Sequence, residues 1–380
     1  MPLVTALGLW CGGKLSGMGG KRLNILALVT SAFGGRGGIA QYNQDLFSAL
    51  ALSSRIGDIL IVPRHGPRPK NSLPEKIHQT SPRTERISYS LHVLAHAVRR
   101  RSFDVVFCGH LYMSPLAALL SAMFNKPIWL QLHGIEAWEC SSKLMLAGAE
   151  RAALVTCVSR YTRQRFLEWA DVAPEHVRVL PNTFEPRFAP GPKSDDLVEH
   201  YKLRGRRVLL TVSRLAASER YKGHDRVINV LPRVLERIPD AVYLVVGDGD
   251  DRQRLENLAR TLGVDDATRF AGEVPHKELP DYFRLADVFV MPSTGEGFGI
   301  AFLEAAASGL PVIGGNRDGS VDALADGAIG TLVDPDQQAS LLEAICSAVS
   351  RETRKGETFY TRFAVSNFNR HVDEIVRSLH

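Results

Sequence analysis

The sequence predicts an α/β protein with two doubly wound domains, each built on a parallel sheet that has helices on both faces. Apolar runs of strand length recur between stretches of helical spacing, which is the pattern of βαβ units. The runs are unbroken rather than alternating, as in strands that helices cover on both faces. The pattern pauses at a proline-rich segment, residues 185–196, and then begins again, and 380 residues exceed what one hydrophobic core usually serves.

The first half of the chain holds the candidate strands of one sheet. They are residues 23–30, 58–63, 104–109, 127–134, 154–159 and 177–182. We therefore expect the first domain at residues 21–186. An apolar run at residues 3–11 precedes it, but no basic segment comes before this run and it is too short to cross a bilayer. Residues 1–20 are interpreted as a glycine-rich extension.

The second half repeats the pattern. Its candidate strands are residues 207–215, 241–249, 268–274, 287–293 and 310–315. We expect the second domain at residues 187–358. Residues 359–380 carry apolar side chains at helical spacing, which predicts a terminal helix that packs back toward the first domain.

The composition excludes several classes of protein. Hydrophobic residues at 45% and charged residues at 23% are typical of a folded globular chain, and a net charge of +5 is too small to imply nucleic acid. The five cysteines are scattered and form no C-x-x-C pair, so neither a disulfide framework nor a zinc knuckle is predicted. A reducing, cytoplasmic location fits this cysteine usage best.

Positive charge is concentrated in residues 64–101, where nine lysines and arginines stand against Glu75 and Glu85. Two interpretations remain open: contact with an anionic acceptor or membrane surface, or a solvated basic loop and helix face. Residues 90–101 have the pattern of a basic amphipathic helix, which would dock at the inner face of the cytoplasmic membrane. His92 and His96 have the spacing of a zinc pair, but Val93 stands where a metalloprotease carries glutamate, so no metal is assigned.

A glycine-rich turn after the candidate strand at residues 287–293 has the features of an anion site. Gly295, Gly297 and Gly299 precede the helical run 300–309. Glycines let backbone N–H groups approach a ligand closely, and a helix N-terminus favours negative charge. Glu304, further into the helix, is placed to accept hydrogen bonds from a diol, while Glu296 in the loop is free to face what lies beyond a phosphate.

Such turns are common, and other positions are needed to assign a function. Arg214 follows the candidate strand 207–215, and Lys222 lies in the loop before the next helix, at the same sheet edge as Glu296. Arginine clamps phosphate with two donors and lysine acts as a point charge. The pair Asp248 and Asp250 resembles a metal-binding D-x-D, but polar residues in a glycine-rich turn usually serve the turn itself. We therefore expect no metal.

The ordered motifs VSRL, YKGHD, VVGDGDDRQRL, FAGEV and PSTGEGFGIAFLEAAASGLPVIGG resemble the retaining GT-B glycosyltransferases of family 4. The resemblance covers about residues 22–380 and includes two glutamates separated by seven residues, Glu296 and Glu304. It implies two facing Rossmann-like domains, with the nucleotide-sugar donor held on the second domain and the acceptor largely on the first.

The resemblance also implies roles for single residues. Arg214 and Lys222 would neutralise the donor diphosphate, Glu296 would contact sugar hydroxyls and Glu304 would hold the ribose. His133, in the sequence LHGIEAW, would lie over the transferred sugar. The backbone at five positions would surround the phosphates: Gly37 and Gly38 in the glycine-rich loop 34–38, and Gly299, Ile300 and Ala301 at the helix start.

The implied function is retaining, metal-independent transfer of a hexose such as mannose from a GDP- or UDP-linked donor. The acceptor would be a glycan or a polyprenyl-linked saccharide in polysaccharide or lipopolysaccharide assembly. Two alternatives remain: another GT-B enzyme, such as a sugar-nucleotide epimerase or a phosphorylase, and an inactive nucleotide-binding module. Where many members read GGxxE, this chain has GGNRDGSVDAL, so no role is carried over to Asp318 or Asp322.

Overall fold

The structure is a computed structural model that describes residues 22–69, 71–100, 102–140, 142–350 and 360–379. The extension expected at residues 1–20 lies outside the described residues. The rest of the chain forms two parallel sheets, one in each half, with helices on both faces. The predicted fold class is therefore confirmed.

The first sheet has seven parallel strands in the order β3-β2-β1-β4-β5-β6-β7. Its strands are β1 (Leu23–Val29), β2 (Ile56–Pro63), β3 (Ile77–Gln79), β4 (Val105–Cys108), β5 (Ile128–Leu132), β6 (Ala152–Cys157) and β7 (Val177–Val179). Its helices are α1 (Gly38–Leu52), α2 (Arg86–Arg99), α3 (Ser114–Phe124), α4 (Lys143–Glu150) and α5 (Arg160–Leu167). Strands β4 and β5 are buried along their whole length, and β1 at every residue except one, because helices cover both faces.

The second sheet has six parallel strands in the order β10-β9-β8-β11-β12-β13. Its strands are β8 (Arg207–Val212), β9 (Ala241–Val246), β10 (Thr268–Gly272), β11 (Val288–Met291), β12 (Val312–Gly315) and β13 (Thr331–Val333). The helices of this half are α6 (Asp195–His200), α7 (His224–Arg237), α8 (Arg252–Thr261), α9 (Leu279–Leu285), α10 (Ile300–Ala307), α11 (Ser320–Ala323) and α12 (Gln338–Ser350), and α13 (Val365–Ser378) ends the chain.

The strand order places a switch point in each sheet. In the first sheet the chain moves outward from β1 to β3 and then returns to β4 on the other side of β1. In the second sheet it moves outward from β8 to β10 and returns to β11 on the other side of β8. Ligands of such sheets bind beyond the carboxyl ends of the strands at this point. The loops after β1, β4, β8 and β11 are therefore the ones that position a site.

Helix α13 packs against α1 of the first domain through a buried stripe. Phe368, Val372, Ile375 and Val376 form this stripe, and the Phe368 ring meets the Tyr42 ring edge to face at 6.1 Å. Just before α13, the Phe363 ring contacts that of Phe298, which belongs to the loop before α10. The terminal segment therefore touches both domains.

In the described part of the chain, none of the helices combines the length and the apolar composition needed to cross a membrane.

Candidate functional site

Two helix N-termini capped by glycine face each other across the cleft between the domains. Gly37 caps α1 with a φ of 88° and Gly299 caps α10 with a φ of 91°, backbone conformations that favour glycine. As glycines, these caps offer no side chain to hydrogen-bond the first N–H groups of the helix, and neither helix has an acidic residue in its first turn. A Cβ on Gly38 would lie 3.9 Å from the Cδ1 atom of Ile300, so the two helix starts are in close proximity. Their unpaired N–H groups and dipoles suit an anion.

Two glycines allow the backbones of the two domains to approach each other closely. A Cβ on Gly297 would lie 1.9 Å from the carbonyl oxygen of His133, and one on Gly134 would lie 2.6 Å from the Cα atom of Gly297. Gly134 has a φ of 149°, which an L side chain rarely adopts. The turn after β5 and the loop before α10 are therefore in backbone contact, which brings His133 to the loop that carries Glu296.

Lys222 and Glu296 form a buried ion pair, with 2.5 Å between Nζ and Oε1. Glu219 also lies near Lys222, with 3.9 Å between its Oε2 and the lysine Nζ, and it pairs with Arg214 as well. Burial acts to lower the pKa of Lys222, but Glu296, Tyr221 and Glu219 outweigh it and the pKa is raised. Lys222 is therefore a firmly charged cation at the end of β8, while the more exposed Arg214 joins it only through Glu219.

Glu304 is buried on α10 and faces the linker between the domains. Its Oε1 lies 3.5 Å from Nε2 of His276, whose other nitrogen lies 3.4 Å from a carboxylate oxygen of Glu185. Burial, with the nearby carboxylates of Glu185 and Glu304, raises the pKa of Asp45 on α1 to about 7. Three carboxyl groups and one imidazole thus gather at the side of the cleft where a polyol could be hydrogen-bonded.

The His133 side chain is fixed in place and uncharged at neutral pH. Its Nε2 lies 3.1 Å from the carbonyl oxygen of Gly109, and its ring meets Tyr42 edge to face at 5.2 Å. Burial lowers the pKa of His133 to about 4. The backbone N–H of His133 donates to Glu136 at 2.5 Å, which fixes the turn as well. His133 can therefore supply a neutral ring edge and a carbonyl oxygen to the cleft.

The two aspartates that the sequence left without a role have different positions. Asp318 is buried and accepts hydrogen bonds from the backbone N–H of Glu296 at 2.7 Å and from Ser293 Oγ at 2.9 Å. It therefore holds the loop that presents Glu296. Asp322 instead pairs with Arg160 of the first domain at 2.6 Å, on the outer rim of the cleft.

The residues considered for metal binding are engaged in other contacts. Asp248 accepts from the backbone of Gly249 at 2.8 Å, and Asp250 accepts from the backbone of Ala217 at 2.7 Å. His92 and His96 stack edge to face at 4.6 Å on α2. Among the described residues, no cluster of three or more histidine, cysteine or acidic side chains has the arrangement of a metal site.

Two residues of this site were not identified from the sequence. Glu219 lies in a 3-10 turn before Lys222, and nothing in its spacing marks it as a bridge between two cations. His276 follows β10 by a few residues, and its approach to Glu304 depends on how the linker packs. The structure brings together five of the residues that the sequence predicted, as the contacts above show: His133, Glu296, Lys222, Gly38 and Ile300. The other five lie beside them on the same loops and helices: Arg214, Gly37, Gly299, Ala301 and Glu304.

Family models match both halves of the chain. Residues 36–188 match the model described as Glycosyltransferase Family 4, and residues 194–360 match the model described as Glycosyl transferases group 1. Together the two matches cover nearly all the described residues of both domains. The chain belongs to the family of glycosyltransferases that these two models define.

Curated relatives and solved structures agree with this assignment. The chain is 38% identical over 206 residues to a GDP-mannose-dependent alpha-(1-6)-phosphatidylinositol monomannoside mannosyltransferase of Mycolicibacterium smegmatis, over 52% of each chain. It is 32% identical over 225 residues to a D-inositol 3-phosphate glycosyltransferase of Corynebacterium kroppenstedtii, over 54% of this chain and 49% of that one. These matches span about half the length of each relative.

The fold resembles that of Anabaena HepE, solved in complex with UDP-glucose. The TM-score is 0.77 at 22% identity, over 94% of this chain and 100% of the other. Two parallel-sheet domains that face each other in this way have the GT-B fold, as the sequence predicted.

Proposed function

We propose that this protein is a retaining glycosyltransferase that moves a hexose from a nucleotide sugar to a glycan or a polyprenyl-linked saccharide. The observation that carries the proposal is the buried Lys222–Glu296 pair beside the glycine-capped start of α10 and opposite the His133–Gly134 turn. A cation, a helix N-terminus that would bind an anion and a carboxylate that would accept hydroxyl groups then lie in one cleft. A nucleoside diphosphate sugar presents the complementary groups.

The diphosphate would bind between the two helix ends. Leaving-group departure builds negative charge on the phosphate, and preorganised N–H donors and cations stabilise that charge. Gly299, Ile300 and Ala301 supply N–H groups from α10, Gly37 and Gly38 supply them from α1, and Lys222 supplies a fixed positive charge. We propose that transfer needs no metal ion, because these groups can neutralise the leaving phosphate.

The sugar would lie between Glu296 and His133. Its hydroxyls would donate to the Glu296 carboxylate, which frees Lys222 to turn toward phosphate. In front-face transfer the bond from the anomeric carbon to the phosphate oxygen breaks. The acceptor oxygen then bonds to that carbon from the same side, and its proton passes to the leaving phosphate oxygen. Neutral His133 would contribute its carbonyl dipole beside the positive charge that develops on the sugar.

The donor we propose is GDP-mannose, with a UDP-hexose as the alternative. The mycobacterial relative is named as GDP-mannose-dependent and is the more similar in sequence, while HepE was solved with UDP-glucose. Glu304 and His276 would bind the ribose in either case, because both nucleotides present the same diol. Base selection would depend on the loop after β10.

The surface of helix α2, in the domain that would hold the acceptor, supports binding at an anionic membrane surface. Ile87, Leu91 and Val98 form an exposed apolar stripe on α2, with exposures of 78%, 62% and 47%. Arg86, Arg99 and Arg100 flank the stripe and have no carboxylate partner within the described ranges. An apolar stripe between cations is the arrangement that binds anionic headgroups. We propose that α2 docks the protein at the membrane surface, where a lipid-linked acceptor would be found.

The transferase assignment can be tested with purified protein and GDP-mannose, UDP-glucose and UDP-galactose, by following release of nucleoside diphosphate. We expect Lys222→Ala to reduce turnover by about 100- to 1000-fold, because it removes a charge that stabilises the leaving phosphate. Arg220→Ala is the matched control, since Arg220 lies in the same turn but pairs with Asp251. Near-wild-type turnover in Lys222→Ala and Glu304→Ala would sink the assignment, and nucleotide binding without turnover would indicate a binding module.

The membrane proposal has its own test, co-sedimentation with vesicles of neutral lipid and of neutral lipid mixed with anionic lipid. We expect binding only to the anionic vesicles and its loss in the double variant Ile87→Ser/Leu91→Ser. Leu52→Ser is the control, because Leu52 is 74% exposed but lies at the end of α1. Equal binding to both kinds of vesicle, or unchanged binding of the double variant, would contradict the proposal.

A further inference from the structure

One carboxylate connects the two cations that the donor diphosphate would meet. The two oxygens of Glu219 face different partners: Oε1 pairs with Arg214, and Oε2 lies 3.9 Å from Nζ of Lys222. The Glu219 side chain is only 13% exposed, whereas that of Arg214 is 74% exposed. A largely buried carboxylate therefore holds an exposed guanidinium group beside the ammonium group of Lys222.

The two cations differ in what else holds them. Lys222 also pairs with Glu296 at 2.5 Å, and its Nζ lies 5.4 Å from the centre of the Tyr221 ring. Arg214 has no carboxylate partner other than Glu219 in the part of the chain that the structure describes. A free arginine side chain samples many rotamers, and a ligand that has to order it binds less tightly. The position of Arg214 therefore depends on Glu219.

The backbone that carries Glu219 is anchored on two sides. The N–H group of Ala217 donates to Oδ1 of Asp250 at 2.7 Å, which fixes the start of the segment. The carbonyl oxygen of Tyr221 accepts from the N–H group of Thr294 at 2.9 Å, which fixes its end to the loop after β11. A side chain on a segment held in this way can keep other groups in the geometry that a ligand needs.

We propose that Glu219 is a positioning residue for the donor diphosphate, because it orders Arg214 beside Lys222 before the nucleotide sugar binds. The inference rests on the proposed function, since it takes these two cations as the groups that bind phosphate. Like charges repel each other, and a carboxylate that is close to both offsets the repulsion. The diphosphate then meets cations that are already in place, so its binding orders fewer side chains. Glu219 itself would not touch the donor.

Glu219→Asp separates position from charge, because aspartate keeps the negative charge but is shorter by one methylene group. The test is calorimetric titration of the full chain with GDP, GMP, UDP and UMP. We expect the unaltered chain to bind at least one diphosphate more tightly than its monophosphate. Glu219→Asp should weaken binding of that diphosphate by about three- to tenfold, the cost of ordering a released side chain. The monophosphate lacks the second phosphate group, and its binding should change less than that of the diphosphate.

The same substitution in an Arg214→Ala background shows whether Glu219 acts through Arg214. If it does, Glu219→Asp should have a smaller effect on diphosphate binding there than in the unaltered chain. Glu256→Asp is the matched control, because Glu256 pairs with Arg252 within α8. It should bind all four nucleotides as the unaltered chain does, and circular dichroism confirms that each variant is folded.

Three results would overturn the proposal: no preference for a diphosphate in the unaltered chain, unchanged diphosphate binding in Glu219→Asp, or an equal loss for diphosphate and monophosphate. The last of these would indicate a structural role. An equal effect of Glu219→Asp with and without Arg214 would also contradict it. Transfer is measured separately, by release of nucleoside diphosphate from a nucleotide sugar. A chain that shows the expected binding but no turnover would contradict the proposed function and leave the role of Glu219 standing.

Discussion

Glycine at position 297 allows the two domains to meet. The position of a Cβ there would overlap the carbonyl oxygen of His133, at 1.9 Å, and this oxygen belongs to backbone that cannot rotate aside. We expect Gly297→Ala to destabilise the domain contact by about 1–3 kcal/mol, the usual cost of overpacking, and to lower both the melting temperature and turnover.

Gly38→Ala is the control for this prediction. Its Cβ would lie 3.9 Å from the nearest atom outside its own turn, an ordinary van der Waals distance. Differential scanning calorimetry should give a nearly unchanged melting temperature for Gly38→Ala and a lowered one for Gly297→Ala. If both variants melted like the unaltered chain, the close approach of the two backbones would be wrong.

The carboxyl group of Asp45 makes stability depend on pH. Burial, with the charges of Glu185 and Glu304, raises the pKa of Asp45 to about 7 in the folded chain, well above its value in an unfolded chain. The folded state then holds a proton that the unfolded state has released, so the free energy of unfolding falls as pH rises from about 4 to about 7. Above pH 7 the full penalty is present.

We therefore expect Asp45→Asn to leave stability nearly unchanged at pH 4 and to raise it at pH 8. The gain is about 1.4 kcal/mol for each unit by which the pKa is shifted. Urea unfolding at the two pH values measures it, with the exposed aspartate variant Asp265→Asn as control. The same gain at both pH values would show that titration of Asp45 is not the cause.

Among the elements, the long central strands could be predicted from the sequence and two edge strands could not. β3 and β13 have three residues each and lie at the edges of their sheets, so neither carries a continuous apolar run. Their position is decided by pairing with β2 and β12, and a local sequence pattern carries no information on that pairing.

For the site, the loops that carry Lys222 and Glu296 were predicted because parallel strands end at a common edge. The bridge by Glu219 and the contact of His276 with Glu304 depend on side-chain packing between distant segments, and no spacing rule predicts them.

Helix α13 is an element whose contribution can be measured by one substitution. Ile375 is 5% exposed within the stripe that packs against α1. Truncating a buried isoleucine to alanine leaves a cavity and costs about 2–5 kcal/mol. Ile375→Ala should therefore unfold at a clearly lower urea concentration, whereas Val365→Ala, at the exposed start of the same helix, should change stability little. Equal midpoints for the two variants would mean that α13 is not anchored by this stripe.

At the scale of the whole molecule, ion pairs join the two domains at both rims of the cleft. Arg36, in the glycine-rich loop, pairs with Glu273 after β10, and Arg160 pairs with both Asp322 and Asp326 at 2.6 Å. All of these groups except Asp322 are well exposed, so each pair contributes only about 0–1 kcal/mol to stability. A difference of that size still changes the balance between an open and a closed arrangement, because the two arrangements of a hinged protein differ by only a few kcal/mol.

Arg160 should therefore affect the spacing of the domains more than their folding. We expect Arg160→Ala to increase the radius of gyration measured by small-angle X-ray scattering and to raise the donor KM, while the melting temperature stays nearly constant. Arg237→Ala is the matched control, since it breaks an exposed ion pair within the second domain, between Arg237 and Glu343 at 2.7 Å.

Raising the salt concentration should expand the unaltered chain toward the dimensions of Arg160→Ala, because exposed pairs are screened over about 10 Å at 0.1 M salt. If Arg160→Ala and Arg237→Ala gave the same scattering curve, the rim pairs would be surface contacts that do not influence closure.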